Sequence, residues 1–246
     1  MELGYRLLVS YPANSLFLFI TTICALIVAC SSSNPAPEPQ PPLIEHIQVL
    51  DLPKSLPPLI RPCPADMAFI ANGHYCIDTY EAPDQKGAYP LYAQSAFQAE
   101  AYCSAHQKRL CTHRRWYVAC AGPEKLQYPY GNTYHKGVCN DDKVGWTHVP
   151  WEQMGTPAWL RTAKGRYKGE PSGNRPACVS GYGVYDLTGN VAEWVREPQV
   201  HYKYVVKGGY WYGVMFGTPS CRFSNIGHSP NFNSYEFGFR CCKDAD

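Results

Sequence analysis

Beyond residue 62 the apolar and polar positions alternate over short distances only. Ala68–Ile70 and His74–Tyr80 read as two strands joined by a turn at Asn72-Gly73, and Cys63 and Cys76 flank that turn. Ser95-Ala-Phe-Gln98 has the form of a capping box, so a helix is predicted from there through about His106, with Ala96, Ala99 and Cys103 on one face. A second helix is predicted to start at Thr112, whose hydroxyl caps it, to bury Trp116, Ala119 and Cys120, and to end at Gly122. After Tyr128-Pro129-Tyr130-Gly131-Asn132 the pattern dissolves into a long stretch rich in Gly, Pro, Trp and Tyr that lasts to Gly183. Such length without periodic segments is unusual in a compact domain.

The N-terminus follows a different rule. Ser15 to Ala29 is an apolar run too short to cross a bilayer comfortably, and it ends in Ile27-Val28-Ala29-Cys30. That ending has the form of a bacterial lipobox, in which the Cys30 thiol is lipidated and becomes the new N-terminus. A plain secretory signal or an uncleaved anchor is the alternative. Ser31, where an aspartate is absent, favours the outer membrane, and two or more acyl chains anchor a protein stably where one does not. Prolines then recur every few residues through Pro62, the composition of an extended tether. The expected organisation is a lipoprotein signal over 1–29, a lipidated cysteine and tether over 30–62, and one domain over 63–246.

Charge narrows the partners. The 22 basic and 20 acidic residues leave a formal +2, which provides no electrostatic footprint for nucleic acid. Of 12 cysteines, Cys24 lies in the signal and Cys30 is assigned to lipid, leaving ten in the domain. An even set in an exported chain reads as a disulfide framework, and no Cys/His spacing typical of structural zinc occurs.

Three phrases in fixed order, GVYDLTGNVAEWV from Gly183, VKGGYW from Val206 and EFGFRCC from Glu236, resemble the formylglycine-generating enzyme (sulfatase-modifying factor) family. AYCSAHQKRLCTHRRWYVACAG and YPYGN extend the resemblance back to about Cys63. It implies an α+β fold, the family's loop-rich, disulfide-stabilised variant of the C-type lectin-like fold. It also implies bridges Cys103–Cys241 and Cys120–Cys221. For the other six cysteines, Cys63–Cys76, Cys139–Cys178 and Cys111–Cys242 is a guess among about fifteen connectivities, and the adjacent Cys241 and Cys242 leave partner exchange or a vicinal bridge open.

Candidate chemistry sits in the first phrase. Asp186 and Glu193 offer hard carboxylate oxygens across a tight turn at Gly189-Asn190, which suits calcium. The resemblance implies calcium held by the Asp186 side chain, the Gly189 and Val191 carbonyls and the Glu193 carboxylate, with a second site near Asn140 and Asp141. The alternative use of Asp186 and Glu193 is turn capping or pairing with a buried arginine such as Arg240. Trp211, Arg222, Asn225 and His228 fall where the family has its substrate groove, with core filling the expected role of Trp211.

The family's oxidation uses two cysteine thiolates that bind copper, a match of soft ligand to Cu(I). Counting from Gly208-Gly209, those positions are Gly213 and Thr218, and Cys221 stands where the family has a structural half-cystine. No catalytic residue is assigned, and neither copper nor formylglycine formation is expected. The reading is a tethered, non-catalytic module that binds an exported protein, peptide or glycan. The alternative is a metal-dependent oxidoreductase or periplasmic maturation factor of the wider family with a diverged site.

Overall fold

The computed structural model describes residues 62–143, 156–157, 165–214 and 218–246. The apolar N-terminal run, Cys30 and the Pro-rich segment lie outside them, apart from Pro62.

The first strand, β1 (Met67–Ile70), pairs antiparallel with β2 (Tyr75–Asp78) across a 3-10 turn at Ala71–Gly73. The second strand is shorter than the apolar pattern predicts. His74 closes the turn in the left-handed conformation (φ 50°), so the ladder starts only at Tyr75. Helix α1 (Ala96–Ala105) opens with the complete capping box: Ser95 Oγ accepts from the Gln98 N–H and Gln98 Oε1 from the Ser95 N–H. Strand β3 (Arg109–Leu110) leads into α2 (His113–Ala121), capped by Thr112 Oγ1 at 3.3 Å from the Arg115 nitrogen and ended at Gly122.

The remaining strands come after the irregular stretch: β4 (Ala192–Arg196), β5 (Tyr204–Lys207), β6 (Ser224–Asn225), β7 (Phe237–Phe239) and β8 (Cys241–Asp244). Among the described residues they form two four-stranded sheets, ordered β1-β2-β8-β3 and β6-β5-β4-β7. The first is antiparallel throughout, and in the second only β4 and β7 run parallel.

Strand alternation explains why β4 and β5 are buried on both faces. Trp194 and Val206 pack with Ala96, Ala99 and Cys103 of α1, whereas Val195 and Val205 pack with Trp116, Ala119 and Cys120 of α2. Period-2 alternation thus gives each helix its own face of one sheet.

Five disulfides join Cys63–Cys76, Cys103–Cys241, Cys111–Cys242, Cys120–Cys221 and Cys139–Cys178. They account for all ten cysteines of the domain. Cys241 points to α1 and Cys242 to Cys111 before α2, the side-to-side alternation of successive strand residues. Adjacent half-cystines therefore tie β8 to two separate elements.

Candidate functional site

The turn that precedes β4 is built from unusual backbone. Asp186, Gly189 and Asn190 all have positive φ, at 56°, 77° and 53°. Gly189 is obligatory: a Cβ there would lie 2.4 Å from the Asn140 carbonyl oxygen. The close approach lets the Asn190 N–H donate to that oxygen at 2.7 Å, while the Gly189 N–H donates to the Gly208 carbonyl at 3.1 Å. Gly208 is equally constrained, with φ 83° and a Cβ position 2.7 Å from the Leu187 carbonyl.

Asn190 holds the turn to three other segments. Its Nδ2 donates to both Glu81 oxygens at 3.0 and 2.9 Å, and its Oδ1 accepts from Asn140 Nδ2 at 2.9 Å and the Glu170 N–H at 2.8 Å. Glu81 is fully buried and also accepts from Ser172 Oγ at 2.7 Å. Burial, reinforced by repulsion from Asp186 and Glu193, raises its pKa well above the usual carboxylate range. Sequence reasoning missed Glu81. No local pattern marks it, because its neighbours in the fold lie about a hundred residues away, at Ser172 and Asn190.

Glu193 and Arg240 form a buried ion pair, Nη2 to Oε1 at 2.6 Å and Nε to Oε2 at 2.7 Å, and the Trp116 indole N–H also donates to Oε2 at 2.7 Å. The remaining arginine donors reach the carbonyls of Tyr185, Asp78 and Thr79. Asp186 Oδ2 accepts from the Gly173 N–H at 2.6 Å, and burial raises its pKa to about 6.

These contacts bear on which oxygens are left for a cation. A carboxylate has about four acceptor directions, and three on Glu193 are occupied. One acceptor direction, on Oε1, is left without a donor among the described residues. With Glu81 held towards its neutral form by burial, Asp186 and Glu193 still exceed the charge of Arg240, an imbalance that a bound cation would relieve. Next to the turn, Asn140 Oδ1 and Asp141 Oδ2 are buried oxygens that accept no hydrogen bond from the described residues. Asp141 Oδ1 accepts from the Tyr134 hydroxyl at 3.1 Å, and burial raises the pKa of the acid to about 6. Two orphaned acceptors fit a cation held by Asn140 and Asp141. Among the described residues no cluster of three or more His, Cys, Asp or Glu side chains is arranged around a metal position. Both candidate sites therefore rely on backbone or amide oxygens as well as carboxylates.

The four groove residues occupy different surroundings. Trp211 is 2 % exposed and packs with Val191 and Tyr235, so it fills core. Asn225 and His228 meet, with Asn225 Nδ2 3.0 Å from His228 Nε2 and 3.3 Å from the Tyr210 hydroxyl. His228 stacks on Phe232 at 4.6 Å, and burial lowers its pKa, which keeps the ring neutral. Arg222 is exposed and faces a separate cavity with Lys125, Gln127 and Asn132.

The positions of the family's copper thiolates are equally well defined. Gly213 closes a tight turn in which the Tyr210 and Gly213 amides exchange hydrogen bonds at 3.0 and 2.8 Å. Its φ is 92°, a conformation that disfavours any L side chain. The Thr218 hydroxyl lies 2.7 Å from the Tyr128 hydroxyl. Every cysteine of the domain is bridged, so no thiolate is available nearby.

Residues 72–245 match the sulfatase-modifying factor enzyme 1-like domain. The chain belongs to this family. Within the sulfatase-modifying factor family it is similar to the inactive Cα-formylglycine-generating enzyme 2 of Bos taurus, 30% identical over 168 residues, or 65% of this chain and 52% of the relative. The chain thus spans about half the length of the curated relatives it matches. Among solved structures it is similar to CarF (18% identity, TM-score 0.48, 70% of this chain and 87% of that one). It is also similar to PvdO from Pseudomonas aeruginosa (15%, TM-score 0.48, 69% and 80%).

Proposed function

We propose that this protein is a non-catalytic binding module of the sulfatase-modifying factor family, exported and held at the outer membrane by a lipid on Cys30, whose ligand is an exported protein, peptide or glycan. One observation carries the reading. The two positions that would supply copper thiolates are Gly213 and Thr218, and all ten domain cysteines are consumed in disulfides. A disulfide sulfur is a poor substitute for a thiolate as a Cu(I) ligand. The similarity to an inactive formylglycine-generating enzyme supports the same direction. Fold alone does not carry the activity once the reacting groups are gone.

Calcium is proposed as a structural ion, held by Asp186, Gly189, Val191 and Glu193 and, next to that turn, by Asn140 and Asp141. Its role in this reading is to neutralise buried carboxylates and to fix the loop that β4 grows from.

The reading is tested by incubating the copper-loaded full chain in detergent with a cysteine-containing sulfatase-motif peptide and following the peptide mass. The expected result is an unchanged peptide. Conversion of its cysteine to the aldehyde overturns the proposal and requires a thiol pair freed from one of the five bridges.

A further inference from the structure

We propose that the cavity between the end of α2 and the strand-β6 segment is an oxyanion-binding site formed by Lys125, Asn132 and Arg222. The cavity is about 280 Å³ and is lined by these residues and Gln127. Among the described residues its lining holds two cations and two amides and no carboxylate. Neither Lys125 nor Arg222 lies within 4.0 Å of a carboxylate among the described residues, in contrast to Lys108, Lys143, Arg175 and Arg240, which all do. Two cations facing one concavity repel each other, and a shared anion removes that repulsion.

The backbones that carry these groups are fixed in advance. Gly122 ends α2, and Lys125 follows in the left-handed conformation (φ 58°), its N–H donating to the Gly122 carbonyl at 3.2 Å. The Gln127 N–H donates to Asn132 Oδ1 at 3.0 Å, which turns the oxygen of that amide inward and leaves Nδ2 as its outward donor. The Gln127 carbonyl accepts from the Cys221 N–H at 3.0 Å, and Cys221 is bridged to Cys120 of α2. Arg222 is the next residue, so the disulfide anchors it opposite Lys125. One of the two Gln127 Nε2 hydrogens is committed to the Tyr128 hydroxyl at 3.2 Å, which ties this side chain to the cavity wall. The ligand class is an oxyanion, a sulfate, phosphate or carboxylate group, which matches a guanidinium fork, an ammonium and an amide donor.

A competing role for Lys125 is to neutralise the carbonyl end of α2, which requires no ligand. Lysine labelling separates the two. The full chain in detergent is treated with an amine-acetylating reagent in sodium sulfate, phosphate, acetate or chloride at matched ionic strength, and acetylation is read at each lysine by mass spectrometry. At an anion concentration ten times its dissociation constant, labelling of Lys125 is expected to slow about tenfold relative to chloride. Lys86 and Lys136 are expected to label equally in all four salts. Arg222→Gln, a substitution at an exposed side chain, is expected to abolish the protection. Protection by sulfate and phosphate alone assigns a tetrahedral dianion, and protection by acetate as well assigns a carboxylate. Equal labelling in every salt, parallel slowing at all lysines, or full protection in the Arg222→Gln variant overturns the proposal. The probes are inorganic ions or acetate, so the outcome is independent of whether the domain is a binding module.

Discussion

Arg240→Leu is expected to be among the most destabilising single changes in the domain. The guanidinium is fully buried and joins both sheets, because it sits between β7 and β8, pairs with Glu193 of β4 and caps the carbonyls of Asp78 and Thr79 at the end of β2. Leucine replaces much of its volume and none of its donors. The Glu193 carboxylate, 1 % exposed, then keeps the Trp116 indole as its one side-chain donor among the described residues. Breaking a buried pair from one side costs about 3–5 kcal/mol. The Tyr185 carbonyl also loses its 2.8 Å donor, at about 1–3 kcal/mol. The sum rivals the entire stability of a typical domain, about 5–15 kcal/mol. Urea unfolding of the oxidised chain, followed by tryptophan fluorescence, measures the loss, and Trp116 is a local reporter. A Glu193→Leu/Arg240→Leu double variant removes both charges and is expected to recover at least half of the loss. That recovery keeps the test informative if the single variant fails to fold. An Arg240→Leu chain within about 1 kcal/mol of the native one would refute the assignment of this pair as the link between the sheets.

Removing calcium with a chelator is expected to lower the melting temperature, and Asp141→Asn to reduce that sensitivity; a melting temperature indifferent to chelator leaves Glu193 and Asp186 as partners of Arg240 and Gly173 alone. Burial, with Asp78 next, raises the Asp84 pKa to about 7, so the folded state holds a proton that the unfolded carboxylate releases near pH 4. That contribution is complete below about pH 4 and is lost as pH rises through about 7, so the native chain is expected to lose more stability than Asp84→Asn between about pH 5 and 8. The comparison with the variant cancels His113 and His228, whose lowered pKa values act in the opposite direction. Cys30→Ser is expected to move the protein from the membrane fraction to the soluble fraction and to abolish palmitate labelling; membrane association without label in both forms contradicts the lipid anchor.

Local signals carried the parts of the fold that local physics decides. Ser95 and Gln98 announce α1 because a capping box is a contact three residues long, and Gly122 ends α2 because its positive φ of 68° is open to glycine at little cost. The tight turn at Gly189-Asn190 was legible for the same reason, whereas the buried strand β4 that follows it was not. What the turn faces was not legible either. Asn140, Glu81 and Gly208 converge on this turn from three distant segments, and no periodicity links them. The groove residues illustrate the same limit. Trp211 and Arg222 are eleven positions apart, yet one is core and the other lines an outward cavity, because the turn at Tyr210–Gly213 buries the indole while the Cys120–Cys221 bridge fixes Arg222 beside the end of α2.

The same turn bears on what a copper site at positions 213 and 218 would require. At Thr218 the family's thiolate position holds a hydroxyl bonded to Tyr128, a change of side chain that leaves the backbone free to accept a cysteine. Gly213 is different. Its φ of 92° lies in a region that costs an L residue about 1–3 kcal/mol, and an added Cβ would sit 3.1 Å from the Asp141 carbonyl oxygen. A cysteine placed there has to reshape the turn that positions Trp211 and pull away from the Asn140-Asp141 loop, which itself packs on Gly189. In this chain the Glu193–Arg240 pair and the close backbone approach at Gly208 surround a position held in a glycine conformation. Two cysteine substitutions alone would therefore leave a strained residue at position 213, and a copper site there would require a change of backbone as well as of sulfur.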